Sequence, residues 1–211
     1  MRAAASVRIS RRLLTGSPDE VAPSLLGAIL SSTSDEGRVA IRITEVEAYG
    51  AVGEDAASHA HNGPTRRNAV MFERPGLLYV YFIYGMHWCA NVVCGPQGVG
   101  SAILLRAGDV IAGIDVARRR RPTRTSDASL ARGPANLAVA LGITGSDNGV
   151  DLLSRASNVR LTSSSVPVAA SDIASGQRIG IRREADRRWR WWLTSAPSVS
   201  RTPKVQPHTP R

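Results

Sequence analysis

Arg38-Val39-Ala40-Ile41-Arg42-Ile43-Thr44-Glu45-Val46-Glu47-Ala48 is the stretch on which the fold turns. Its period of two predicts a β-strand with Ile41, Ile43, Glu45 and Glu47 on one face. Two core residues are followed there by two carboxylates, so the strand is expected to leave a core and enter a polar site. Towards the N-terminus, Ser17-Pro18-Asp19-Glu20 supplies an N-cap, a first-turn proline and a capping-box glutamate, and predicts a helix over 17–30. Towards the C-terminus, residues 49–74 read as a long ordered loop, a feature that in a compact domain is more often functional than idle. A second strand signal, Leu77-Leu78-Tyr79-Val80-Tyr81-Phe82-Ile83, turns near Tyr84-Gly85-Met86 and resumes over 87–93, which predicts a hairpin. Further strands are expected at 102–106, near 159 and 166, and at 178–182 and 189–193. Helices are expected at 110–120, stopped by Pro122, and at 129–141, interrupted by Gly133-Pro134 and capped by Gly142.

A chain of 211 residues suits one domain. Its elements predict an α+β fold: a curved, mainly antiparallel sheet with flanking helices and a protruding β-hairpin. The domain is expected over 13–200, between a disordered leader at 1–12 and a flexible tail at 201–211; the prolines make the chain mobile from Ala196 onward. The formal charge is +10 and nearly all of it is arginine, because Lys204 is the single lysine. Such a surface favours a polyanion, through counterion release and bidentate hydrogen bonds to phosphate. Two cysteines, Cys89 and Cys94, are too few for a disulfide framework or a four-cysteine zinc site and fit a reducing cytoplasm. No apolar run approaches the roughly 20 residues that a membrane helix needs.

Aromatic residues number only ten, yet Tyr79, Tyr81, Phe82, Tyr84 and Trp88 share one ten-residue window around the hairpin. In a basic protein such rings can stack on an unpaired base or wedge into a duplex. For Phe82 and Trp88 core packing is the better reading, whereas Tyr84, beside Gly85 at the turn, is expected to be exposed and to need a partner. Glu45 and Glu47 leave three readings open: solvated strand residues, metal ligands together with Glu54, Asp55, His59 and His61, or a catalytic carboxylate beside a pocket.

The series Glu45-Val46-Glu47-Ala48-Tyr49, Glu54-Asp55-Ala56-Ala57-Ser58-His59, Arg67-Asn68, Met71-Phe72, Pro75-Gly76, Leu78-Tyr79-Val80-Tyr81, Ile83-Tyr84-Gly85-Met86, Asn91 and Leu104-Leu105-Arg106 closely resembles the 3-methyladenine (alkyladenine) DNA glycosylase family. Arg132-Gly133-Pro134, Leu137 and Asp147-Asn148-Gly149 continue it in order, over about 13–200. The resemblance implies that Glu47 is the general base for a water also held by Arg106 and the backbone carbonyl of Ile179. It implies that Tyr49, His59 and Tyr81 line a purine pocket, His59 donating a hydrogen bond, with Asn91 excluding normal bases at its floor. Tyr84 would wedge into the duplex, flanked by Met86; His87, at the position of a DNA-backbone contact, departs from the tyrosine of the best-known animal members, and one extra residue separates Tyr49 from His59.

These expectations describe an enzyme without cofactor or metal, acting as a monomer on damaged double-stranded DNA in the cytoplasm, at the bacterial nucleoid. Hydrolysis of a purine N-glycosidic bond passes through an oxocarbenium-like state, which a carboxylate beside the sugar stabilises. Glycosylases that also cut the strand attack with an amine, and the only lysine is Lys204 in the tail, so a monofunctional enzyme is expected. The alternatives are a metal-dependent nuclease or hydrolase using Glu45, Glu47, His59 and His61, and a non-enzymatic DNA-binding module with Tyr84 as its wedge.

Overall fold

The computed structural model describes residues 9–121 and 125–200. The leader before residue 9, Pro122 as a helix stop, the tail at 201–211 and Lys204 lie outside the described residues. The chain forms α1 (Arg11–Leu14), α2 (Pro18–Ser24), β1 (Ile29–Ser34), β2 (Gly37–Tyr49), β3 (Leu78–Ile83), β4 (His87–Cys94), β5 (Ser101–Ala112), α3 (Ile114–Arg120), α4 (Pro134–Leu141), β6 (Val159–Thr162), β7 (Ile173–Gly176) and β8 (Arg190–Leu193), with 3-10 turns between. It is an α+β domain built on one curled antiparallel sheet, ordered β3-β4-β5-β2-β1-β6, with β8 added to β2 and β7 to β8. The thirteen-residue β2 organises it: its first half pairs with β1, its second half with β8, and β5 runs along its other edge.

The alternation along β2 changes phase, which the sequence reading did not anticipate. Val39, Ile41 and Ile43 lie in the main core, and so do Val46 and Ala48. Between Ile43 and Val46 the ladder to β5 slips twice: Thr44 has no opposite residue on β5, and Arg106 has none on β2. An unpaired residue in a ladder re-aims the side chains beyond it. Glu45 and Glu47 therefore face away from the side that holds Ile41 and Ile43, and a strand that stays in the core also serves a polar site.

Other expectations shift for local reasons. The helix expected over 17–30 is α2 alone: Pro23 removes a donor, Gly27 takes φ +81°, and β1 begins at Ile29. Residues 110–112, expected as helix, extend β5, and Gly113 at φ 72° turns the chain into α3. The helix of 129–141 restarts at Pro134 and is capped by Gly142, as its sequence predicts. Residues 166 and 178–182 are not strands; β7 lies at Ile173–Gly176 instead. The domain is already formed at residues 9–12, where Ser10 caps α1 and Arg11 pairs with Asp151 at 2.8 Å. Residues 197–200, expected to be mobile, dock against β2: Ser198 is buried 2.7 Å from the Thr44 hydroxyl, and the Ser200 amide donates to Glu45 at 2.7 Å.

Leu78, Val80, Ala90, Val92, Ile103 and Leu105 fill the same core as Leu25 at the end of α2 and Leu137 and Leu141 of α4. The intervening residues of β3, β4 and β5 point to the other face of the sheet, where the site lies.

Candidate active site

Strand pairing sets Tyr79, Asn91, Leu104 and Glu47 opposite one another across four strands. The first three, with Tyr81, Cys89 and Arg106 of the same strands, line a cavity of about 310 Å³. Tyr49 and His59 close one side, the start of α4 another, and Ile179, Gly180 and Ile181 reach in from the loop after β7. The volume lies at the lower end of the ~300–1,000 Å³ typical of small-molecule sites. Expected site residues Tyr49, His59, Tyr81, Asn91, Arg106, Ile179, Tyr84 and His87 all border this cavity.

Its walls are largely aromatic, and Arg106 brings a guanidinium to them. His59 Nδ1 lies 3.0 Å from the Tyr79 hydroxyl, and its ring meets Tyr81 edge-on at 4.5 Å between centroids. Burial holds the imidazole below its ordinary pKa, helped by Arg67, so His59 is neutral near pH 7. Burial also pushes Tyr79 up to about 12 and raises Tyr49, Tyr81 and Cys89, so these groups keep their protons. The Asn91 side chain donates to the Tyr79 carbonyl at 3.0 Å. Tyr79 was not singled out by itself in the sequence, although its spacing of two from Tyr81 places both on one face of β3.

Glu47 is completely buried behind three groups that line the cavity. Oε2 accepts from the Tyr49 hydroxyl at 2.9 Å and from Arg106 Nη1 at 3.2 Å, and Oε1 accepts from the Ile179 amide at 2.7 Å. Burial pushes its carboxyl above the ordinary 4.5, against the opposing pull of Arg106, the Ile179 amide and the Tyr49 hydroxyl. The sequence left that balance undecided. The backbone of Ile179 thus meets Glu47 through its N–H, and Tyr49 through its hydroxyl.

Glu45 shares in this cluster. Its Oε1 accepts from Arg106 Nε at 3.1 Å and Arg190 Nε at 2.6 Å, so two buried carboxylates face two buried guanidinium groups. The metal reading required Glu45, Glu47, His59 and His61 to converge. Instead both carboxylates turn to arginines, and among the described residues no group of three or more His, Cys, Asp or Glu could hold an ion.

The hairpin tip stands at the cavity mouth. Tyr84 is 80 % exposed and Met86 67 %, while Tyr84 and Gly85 both adopt left-handed backbone angles, φ 54° and 67°. Gly85 does so without penalty, whereas for tyrosine the conformation is strained and holds an apolar ring in solvent. Phe82, expected in the core, is 42 % exposed and packs on Trp88 at 4.6 Å between centroids. Trp88 alone packs partly against the core.

The basic α+β domain thus combines an aromatic cavity, an arginine-held carboxylate behind it and an exposed tyrosine at its mouth. The sequence profile of the methylpurine-DNA glycosylase family matches residues 12–197. A protein of Nocardia farcinica named "Putative 3-methyladenine DNA glycosylase" is 51 % identical over 91 % of this chain and 90 % of its own. Proteins of the same name from Leifsonia xyli and Mycobacterium leprae are 50 % and 46 % identical, covering 86 % and 96 % of this chain and 86 % and 92 % of theirs. The chain belongs to the methylpurine-DNA glycosylase family.

Proposed function

We propose that this DNA glycosylase flips an alkylated or deaminated purine into the cavity and hydrolyses its N-glycosidic bond, leaving an abasic site for base excision repair. The observation that carries this reading is the hydrogen bonding of Glu47. A carboxylate offers about four lone-pair positions, of which Oε2 uses two and Oε1 one. The remaining position on Oε1, beside Ile179, is the place for a proton from water. Water held there by Glu47, Arg106 and the Ile179 carbonyl gives up that proton as its oxygen bonds to the sugar C1′. The C1′–N bond breaks and its electron pair stays with the purine. A cationic alkylpurine leaves as a neutral molecule and needs no acid, which suits a cavity in which Tyr49, Tyr79, Tyr81, Cys89 and His59 are neutral. Tyr81, His59 and Tyr49 pack against the flipped base and Asn91 borders its inner edge. Tyr84, with Met86 and His87 beside it, fills the gap left in the duplex.

The enzyme has no lyase step, since no lysine occurs in residues 9–200 to form an imine with the sugar. Product analysis on a methylated duplex tests this: free methylpurine is released, the strand stays intact, and borohydride traps no covalent complex. Strand scission or a trapped adduct contradicts it. No helix among the described residues is long and apolar enough to cross a membrane.

A further inference from the structure

Asp55 and Arg178, 123 residues apart, form an ion pair whose side chains are both fully buried. The contact is bidentate, Nη1 to Oδ2 at 2.5 Å and Nη2 to Oδ1 at 2.9 Å. Burying two charges seldom adds net stability, because desolvation offsets the attraction. Its value lies in what it holds in place. Arg178 Nη1 also donates to the Ala48 carbonyl at 3.0 Å, and its guanidinium lies 4.8 Å from the Tyr49 ring and 5.6 Å from the Trp189 ring. Asp55 in turn accepts from the amides of Gly50 at 3.0 Å and Ala57 at 3.1 Å. The pair therefore ties the end of β2, the loop that carries His59, and the segment that continues into Ile179.

We propose that the Asp55–Arg178 pair is a positioning device for the active site: it presses the Ile179 amide onto Glu47 Oε1 and fixes the two loops that close the cavity. Arg178 immediately precedes Ile179, so a shift of its guanidinium displaces the amide that meets the carboxylate. Only arginine can fork onto both oxygens of Asp55; lysine keeps the charge and loses the fixed angle. The catalytic consequence rests on Glu47 acting as the base, and a displacement of about 1 Å at a reacting geometry can cost on the order of 100-fold in rate.

Asp55→Asn and Arg178→Lys test the device by two separate readouts. The first, amide hydrogen exchange followed by NMR, needs no activity. Ile179 is expected to exchange at least about tenfold faster in both variants while the core amides of β2 keep their protection. The second compares single-turnover excision of 7-methylguanine with duplex affinity. The rate is expected to fall about 10- to 100-fold with Kd within about twofold of wild type. Unchanged Ile179 protection in a folded variant overturns the proposal, and so does weakened affinity at an unchanged single-turnover rate. If Asp55→Asn fails to fold, Arg178→Lys, which keeps the charge, supplies the comparison. A fully active Glu47→Gln enzyme would remove the catalytic reading instead, and Ile179 exchange would still decide the positioning role.

Discussion

At the scale of single residues, Glu47 is governed by competition between burial and its three hydrogen-bond donors. Burial prevails, so the pH at which excision loses half its rate on the acid side is expected above 4.5. The sign follows from the role proposed for it: a base works ionised, so activity disappears as pH falls through the raised pKa. Tyr49→Phe removes a donor to the ionised form only, and its acid limb should move to still higher pH in single-turnover profiles. A limb that stays put or moves down would show that the tyrosine does not stabilise the carboxylate. Arg106 serves both Glu45 and Glu47. Arg106→Met leaves buried carboxylates short of a partner and should cost about 3–5 kcal/mol in denaturant unfolding, the range for breaking a buried pair. A loss below about 1 kcal/mol would mean that Arg190 alone balances the cluster. None of these partnerships was readable from spacing. Arg190 and Arg178 lie more than 120 residues beyond the acids they hold, and no local pattern marks them.

At the scale of elements, the hairpin and the bulged pair β2–β5 define what local pattern reveals. The hairpin was legible because alternating aromatics flank a Tyr-Gly-Met turn, and its strands, Leu78–Ile83 and His87–Cys94, fall within a residue of expectation. The phase change in β2 was not legible, because it depends on Arg106 having no partner in a ladder formed with a distant strand. Strict alternation still found Glu45 and Glu47, but for the wrong face. Tyr84 at the hairpin tip touches too little of the fold to support it, being 80 % exposed. Tyr84→Ala should therefore leave thermal stability unchanged and weaken binding to a damaged duplex by roughly 10- to 100-fold, matching the ~1–3 kcal/mol of a stacked aromatic. Unaltered affinity in a fluorescence titration would remove the wedge role, and a lowered melting temperature would assign the ring to the fold.

At the scale of the whole molecule, fold class and family were legible because motif residues recur in order along the chain, and the profile match over 12–197 agrees. Tyr49, His59, Tyr81, Asn91, Arg106 and Ile179, named from the sequence, gather around one cavity; the complete burial of Glu47 was not legible, since two of its three partners, Arg106 of β5 and Ile179 after β7, are distant in sequence. Because the two carboxylates are held by guanidinium groups, excision is expected to proceed unchanged in excess EDTA, and a chelator-sensitive rate would revive the metal reading. The central claim is that the Glu47 carboxylate activates the attacking water. It is tested most directly by single-turnover release of 7-methylguanine from duplex DNA, comparing wild type with Glu47→Gln at equal, saturating occupancy. The account predicts that wild type frees the base and leaves the strand intact, while Glu47→Gln binds the same duplex with base release lowered at least about 100-fold. Release by Glu47→Gln at the wild-type rate would contradict it.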